Sequence, residues 1–222
     1  MRLFRLRRKS MPGSSESGSA LIEFVLCVGL FWMPLFVGTL FGGLNLIRVL
    51  QVTQLCRDVA HMSAFGIDFS QTSAQNLLVS LAPSLGLTTS TTSHGVVILS
   101  VITHIVQSTD CTPASISNCA NDGYDVVVRR IVIGNTNLPN TTSAFGTPCS
   151  TCYVDATSGN ITPAAYLNNS STRAAASGVS FAPPIVLTSS HYAYVAEAFV
   201  TSPENNGWVG TGTPSIAARF IF

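Results

Sequence analysis

The chain runs to 222 residues with a net charge of +1, and only 9% of its residues are charged, against about a quarter in ordinary soluble domains. That near-neutrality leaves no general basic field and excludes nucleic acid as a partner on charge grounds. The length allows one modest domain beside a membrane segment, and a mean hydropathy of +0.40 agrees with such a segment.

Residues 1–18 gather Arg2, Arg5, Arg7, Arg8 and Lys9 ahead of a Ser- and Gly-rich stretch broken by Pro12. Such a segment reads as a leader and is set aside from fold reasoning. Basic residues before an apolar run also set topology: the N-terminus is expected in the cytoplasm and everything after the span outside. Residues 24–47 carry no charge, and Glu23 is the only charged residue between Glu16 and Arg48. As a helix, 24–47 would extend roughly 36 Å, more than a hydrocarbon core of about 30 Å. A carboxylate at the mouth of a membrane helix is costly and needs a reason. Pro34, inside the run, is expected to kink the helix or open one backbone bond. Gly38 and Gly42 form a small-xxx-small pair that would let another helix approach closely, although glycine is common in membrane helices in any case.

Past the apolar run, Arg48, Gln51, Gln54, Asp58 and His61 recur every three or four residues, with Val52, Leu55, Val59 and Met62 on the other side. This is an amphipathic helical stripe, and Gly66 is a fitting left-handed stop. One helix is therefore expected over 19–66, and a shorter one over 74–82, stopped by Pro83. Residues 67–222 then read as a β-rich domain. Val96–Val106, Tyr124–Ile133, Tyr192–Thr201 and Ile216–Phe222 are the expected strands, separated by stretches of Ser, Thr, Asn, Gly and Pro. The expected fold class is α+β: a long N-terminal transmembrane helix followed by a small antiparallel, β-rich extracytoplasmic domain.

Cys111, Cys119, Cys149 and Cys152 fall in that exported region, where four cysteines suggest disulfides with three possible connectivities. Local pairing, Cys111 with Cys119 and Cys149 with Cys152, is the favoured arrangement. The Cys-x-x-Cys spacing of the second pair also occurs in thiol oxidoreductases and zinc sites. Here it lies in a Thr-, Gly- and Pro-rich loop, without the helix N-terminus that would lower a thiol pKa and without a second closely spaced pair for zinc. His61, His94, His104 and His191 are scattered. No Gly-x-Ser-x-Gly elbow and no phosphate-cradling loop stands in the chain. The expectation is a protein that is not an enzyme and holds no cofactor and no metal.

Gly18, then Ser19-Ala20-Leu21-Ile22-Glu23-Phe24, resembles the processing site of type IV pilins and pseudopilins. The short leader, the apolar helix, Arg57-Asp58-Val59-Ala60 near its end and the late stretch Val195-Ala196-Glu197-Ala198-Phe199 narrow this resemblance. They are similar to the TadE/TadG-like family, minor pseudopilins of the tight-adherence, Flp-type pilus of bacteria. The chain departs from the family pattern in having no acidic residue over Leu40–Asn45 and His61-Met62-Ser63-Ala64 where arginine-glycine-alanine is usual. The resemblance implies a pilin-like fold and cleavage by a prepilin peptidase between Gly18 and Ser19. It also implies assembly through Glu23 and Phe24, with other pilin subunits and the pilus-assembly machinery as partners. The implied location is the bacterial inner membrane, with the C-terminal domain periplasmic or extracellular. Cleavage would leave an ammonium on Ser19, four residues and one helical turn from Glu23. Two other readings stay open: an unprocessed, signal-anchored binding protein or adhesin whose Glu23 merely snorkels to the interface, and an anchored thiol enzyme.

Overall fold

A computed structural model describes residues 16–148, 154–174, 187–201 and 216–222. The chain divides into two compact units, Met1–Leu44 and Asn45–Phe222. Residues 1–15 of the expected leader lie outside the described residues.

The first unit is helical. Helix α1 runs Glu16–Cys27, a π-helical turn follows at Val28–Trp32, and α2 begins at Met33. The π turn lies immediately before Pro34, whose ring would collide with the carbonyl of Leu30 and which has no N–H to return. Widening the preceding turn absorbs that misfit, as π-bulges commonly do. The apolar side chains point outward: Leu30 is 82% exposed and Phe31 72%. From Ser19 to Ala64 the helical stretch is the one among the described residues that is long and apolar enough to cross a membrane, and none of its most apolar part is buried.

α2 extends to Ala64, and beyond Asn45 it becomes a core element. Val52, Leu55, Cys56, Val59 and Ala60 are buried while Gln54, Arg57, Asp58 and His61 are exposed, which is the expected amphipathic stripe. The helix stops in a Schellman motif. Gly66 takes φ +87°, its N–H donates to the Ser63 carbonyl at 3.1 Å, and the Ile67 N–H donates to the Met62 carbonyl at 3.0 Å. Helix α3, Thr72–Leu81, starts two residues before the expected position and ends ahead of Pro83.

Four strands follow: β1 Gly95–His104, β2 Asp125–Gly134, β3 Tyr192–Val200 and β4 Ile216–Ile221. They form one antiparallel sheet in the order β2-β1-β3-β4. A bulge leaves Val128 unpaired between the Val101–Arg129 and Ile102–Val127 partners. One face carries Val97, Leu99, Ala196, Ala198 and Val200 against α2 and α3. The other carries Ile102, Val127, Ala193 and Val195 against Phe145, Ile161 and Ala165. β1 and β3 are central and covered on both faces, so they read as nearly unbroken apolar runs rather than alternating ones.

The second face is covered by segments that the sequence presents as loop. Short helix α4, Pro163–Asn168, was not expected. Ahead of it, residues 154–161 fold back along the edge of β2: the Arg130 N–H donates to Gly159 O at 2.8 Å and the Ile161 N–H to Val128 O at 2.9 Å. Gly159 has φ +69°, and a Cβ there would stand 2.5 Å from Arg130 O, so glycine is needed for this approach.

Candidate functional site

Gly18, Ser19, Glu23 and Phe24 all lie within α1. An unbroken run of helix through these positions puts Ser19 and Glu23 on one face, four residues apart. Ser19 and Glu23 are exposed, and Phe24 is 68% exposed. Glu23 makes no hydrogen bond or ion pair among the described residues, so nothing there satisfies the only charge between Glu16 and Arg48. Ligands for it must come from water or from another molecule.

The cysteine expectations divide. Cys111 and Cys119 lie at disulfide-bonding distance, with Cα atoms 6.1 Å apart. Gln107 knits the same loop: its amide nitrogen donates to Ile116 O at 3.0 Å, and its amide oxygen accepts the Cys119 N–H at 2.9 Å. Cys149 and Cys152 lie outside the described residues. Cys27 is free and exposed on the apolar helix, and Cys56 is free and buried in the core. The histidines are brought to no common site. His104 Nδ1 meets Asp125 at 2.8 Å, His191 lies beside Thr188, and His61 packs tilted against Phe65 and edge-on to Phe222. Among the described residues, no three His, Cys, Asp or Glu side chains gather where a metal ion would be held.

Two polar centres were not anticipated. The first is built on Glu197, 1% exposed in the middle of β3. One carboxylate oxygen accepts from the Ala144 N–H at 3.1 Å and from Arg219 Nε at 2.8 Å. The other accepts the Ser143 hydroxyl. Arg130 on β2, 8% exposed, donates to Ser100 Oγ at 3.1 Å, Ser143 Oγ at 3.2 Å and the Gly146 carbonyl. Burial pushes the Arg130 guanidinium down to about 10, while the Glu197 charge favours its protonated form. With its lone pairs committed to these donors, Glu197 acts as a clamp that holds residues 143–146 on the sheet. The second centre is Asn121, fully buried, whose amide donates to Tyr166 O and Asn169 O at 2.8 Å and accepts Arg173 Nε at 2.8 Å. A signal for the first was present: a lone acid in an apolar strand needs a partner, and Arg129, Arg130 and Arg219 are the arginines of the other apolar strands.

No protein-family model, no curated protein and no solved structure matches this chain.

Proposed function

We propose that this chain is a membrane-inserted, pilin-like subunit of the TadE/TadG-like kind, cut after Gly18 by a prepilin peptidase and acting in assembly or initiation of a bacterial surface pilus. The observation that carries this reading is Glu23, an exposed carboxylate without a partner among the described residues, one helical turn from Ser19 and the only charge between Glu16 and Arg48. The basic residues ahead of it support an inner-membrane location with the N-terminus cytoplasmic and the β-rich domain on the far side. In a bundle of such helices, Glu23 of one subunit neutralises the Ser19 ammonium of its neighbour. That contact sets the axial register of the subunits.

Glu23→Ala tests it. The variant removes an expensive charge, so a single chain inserts as well as before or better. Assembly fails, because the neighbour's buried ammonium loses its partner at a cost of about 3–5 kcal/mol. Each variant is expressed in the host lacking the original copy, and membrane level and surface pili are scored separately. Leucine at position 23 should behave like alanine, and aspartate should restore part of the function. Normal piliation with Glu23→Ala would leave the residue a mere interfacial charge and favour the signal-anchored adhesin.

A further inference from the structure

Helix α2 ends at Ala64, capped by Gly66, before the sheet beneath it ends. Val101 on β1 pairs with Arg129 on β2 and Tyr194 on β3, and Thr103 pairs with Tyr192. Alternate residues share a strand face, so Tyr192 and Tyr194 continue the face on which Ala196 and Ala198 are buried under the helix. Past the helix end this face is open. It lines a cleft of about 480 Å³ together with Ser63, Asn160 and Tyr166.

Three features define what fits. The volume lies within the roughly 300–1,000 Å³ of small-molecule sites. The single charged side chain lining the cleft, Arg129, is paired with Asp68 and also donates to Ser158 O at 3.0 Å. The cleft therefore carries no net charge to select an anion or a cation. Its remaining polar groups are three phenols, the Asn160 amide and the Ser63 hydroxyl, which donate and accept alike. Burial, with Tyr192 and Asp110 near by, pushes the Tyr166 phenol up, so it stays neutral. Tyr192 is 53% exposed and offers an aromatic surface at low entropic cost.

We propose that this cleft is a saccharide site that takes a neutral disaccharide or trisaccharide. The apolar C–H face of a pyranose ring stacks on Tyr192 and Tyr194, and its hydroxyls exchange hydrogen bonds with Asn160, Ser63 and Tyr166. A polyol matches a lining of mixed donors and acceptors, whereas a proline-rich peptide offers chiefly carbonyl acceptors. The site is independent of whether the chain is cut after Gly18.

The test is saturation-transfer NMR on the full chain in a detergent without a sugar headgroup. The probes are lactose, cellobiose, chitobiose and mannobiose, with an acidic sugar and a proline-rich decapeptide as competitors. At least one neutral disaccharide should receive transfer. Tyr192→Ala should weaken it by about tenfold or more, and Tyr192→Phe should retain most of it. Tyr124→Ala, outside the cleft, should leave it unchanged. Asn160→Ala is the second variant, expected to weaken binding if Tyr192→Ala perturbs the sheet. The proposal is overturned by absence of transfer to every neutral probe, by transfer that survives both Tyr192→Ala and Asn160→Ala, or by tighter binding of the acidic sugar or the peptide.

Discussion

Glu197 meets three donors on its two oxygens inside the β-rich domain, and Glu23 meets none among the described residues. The first carboxylate is accounted for by its own chain. Glu197→Ala should therefore destabilise the folded domain by about 3–5 kcal/mol, because the Ser143 hydroxyl, the Ala144 N–H and Arg219 lose their acceptor and the buried Arg130 charge loses its nearby counter-charge. Urea unfolding of the full chain in detergent reads this directly, and an unchanged midpoint would remove the clamp. Adding Arg130→Met to Glu197→Ala should recover part of the loss, since an apolar replacement of both charges avoids the desolvation cost. Asp68 behaves differently. The Ser70 N–H, and then the Arg129 guanidinium, hold its carboxyl below the usual carboxylate range. A depressed folded-state pKa gives stability that is present above the unfolded value and is lost as pH falls through the folded one. The side chain is 45% exposed, so screening keeps the effect below about 1 kcal/mol. Asp68→Asn should lower stability at neutral pH by less than about 1 kcal/mol and converge with the parent chain as pH falls below about 4, flattening the acid limb of a thermal-unfolding series.

At the scale of elements, the stop of α2 is the cleanest case. Nothing lies within 4 Å of a Cβ built on Gly66, so the cost of Gly66→Ala is purely that of φ +87°. It should be about 1–2 kcal/mol, and asparagine should cost less. Thermal unfolding of the two variants side by side checks the order. The Cys111–Cys119 link spans eight residues and should contribute about 2–3 kcal/mol by restricting the unfolded chain. Non-reducing peptide mapping should recover this pair, and free thiols at both positions would contradict an exported domain. Helices and strands were largely readable because their signals are local. Val52, Leu55 and Val59 repeat at helical spacing, Gly66 marks the stop, and β1–β4 fall within two residues of the apolar β-branched runs. What was not readable is tertiary. α4 is six residues in a stretch rich in turn formers, and Pro163 at its start is equally a loop signal. Asn121 looks like any loop asparagine until Tyr166, Asn169 and Arg173 close around it. Glu197 was noticed within its strand, yet its partners lie 54 residues upstream at Ser143 and 22 downstream at Arg219.

For the whole molecule, the division of labour follows from where charge is tolerated. The β-rich domain balances its buried charges internally, as Glu197 near Arg130 and Arg219 shows. The apolar helix carries at Glu23 a carboxylate that has no partner among the described residues, which is an arrangement suited to assembly rather than to folding one copy. The decisive quantity is the N-terminus of the protein recovered from its own membrane. Intact mass and terminal sequencing, in a strain with an active prepilin peptidase and in one without, measure it most directly. The account predicts a chain beginning at Ser19 in the first strain and a retained Met1–Gly18 segment in the second. A retained leader in both strains would contradict it.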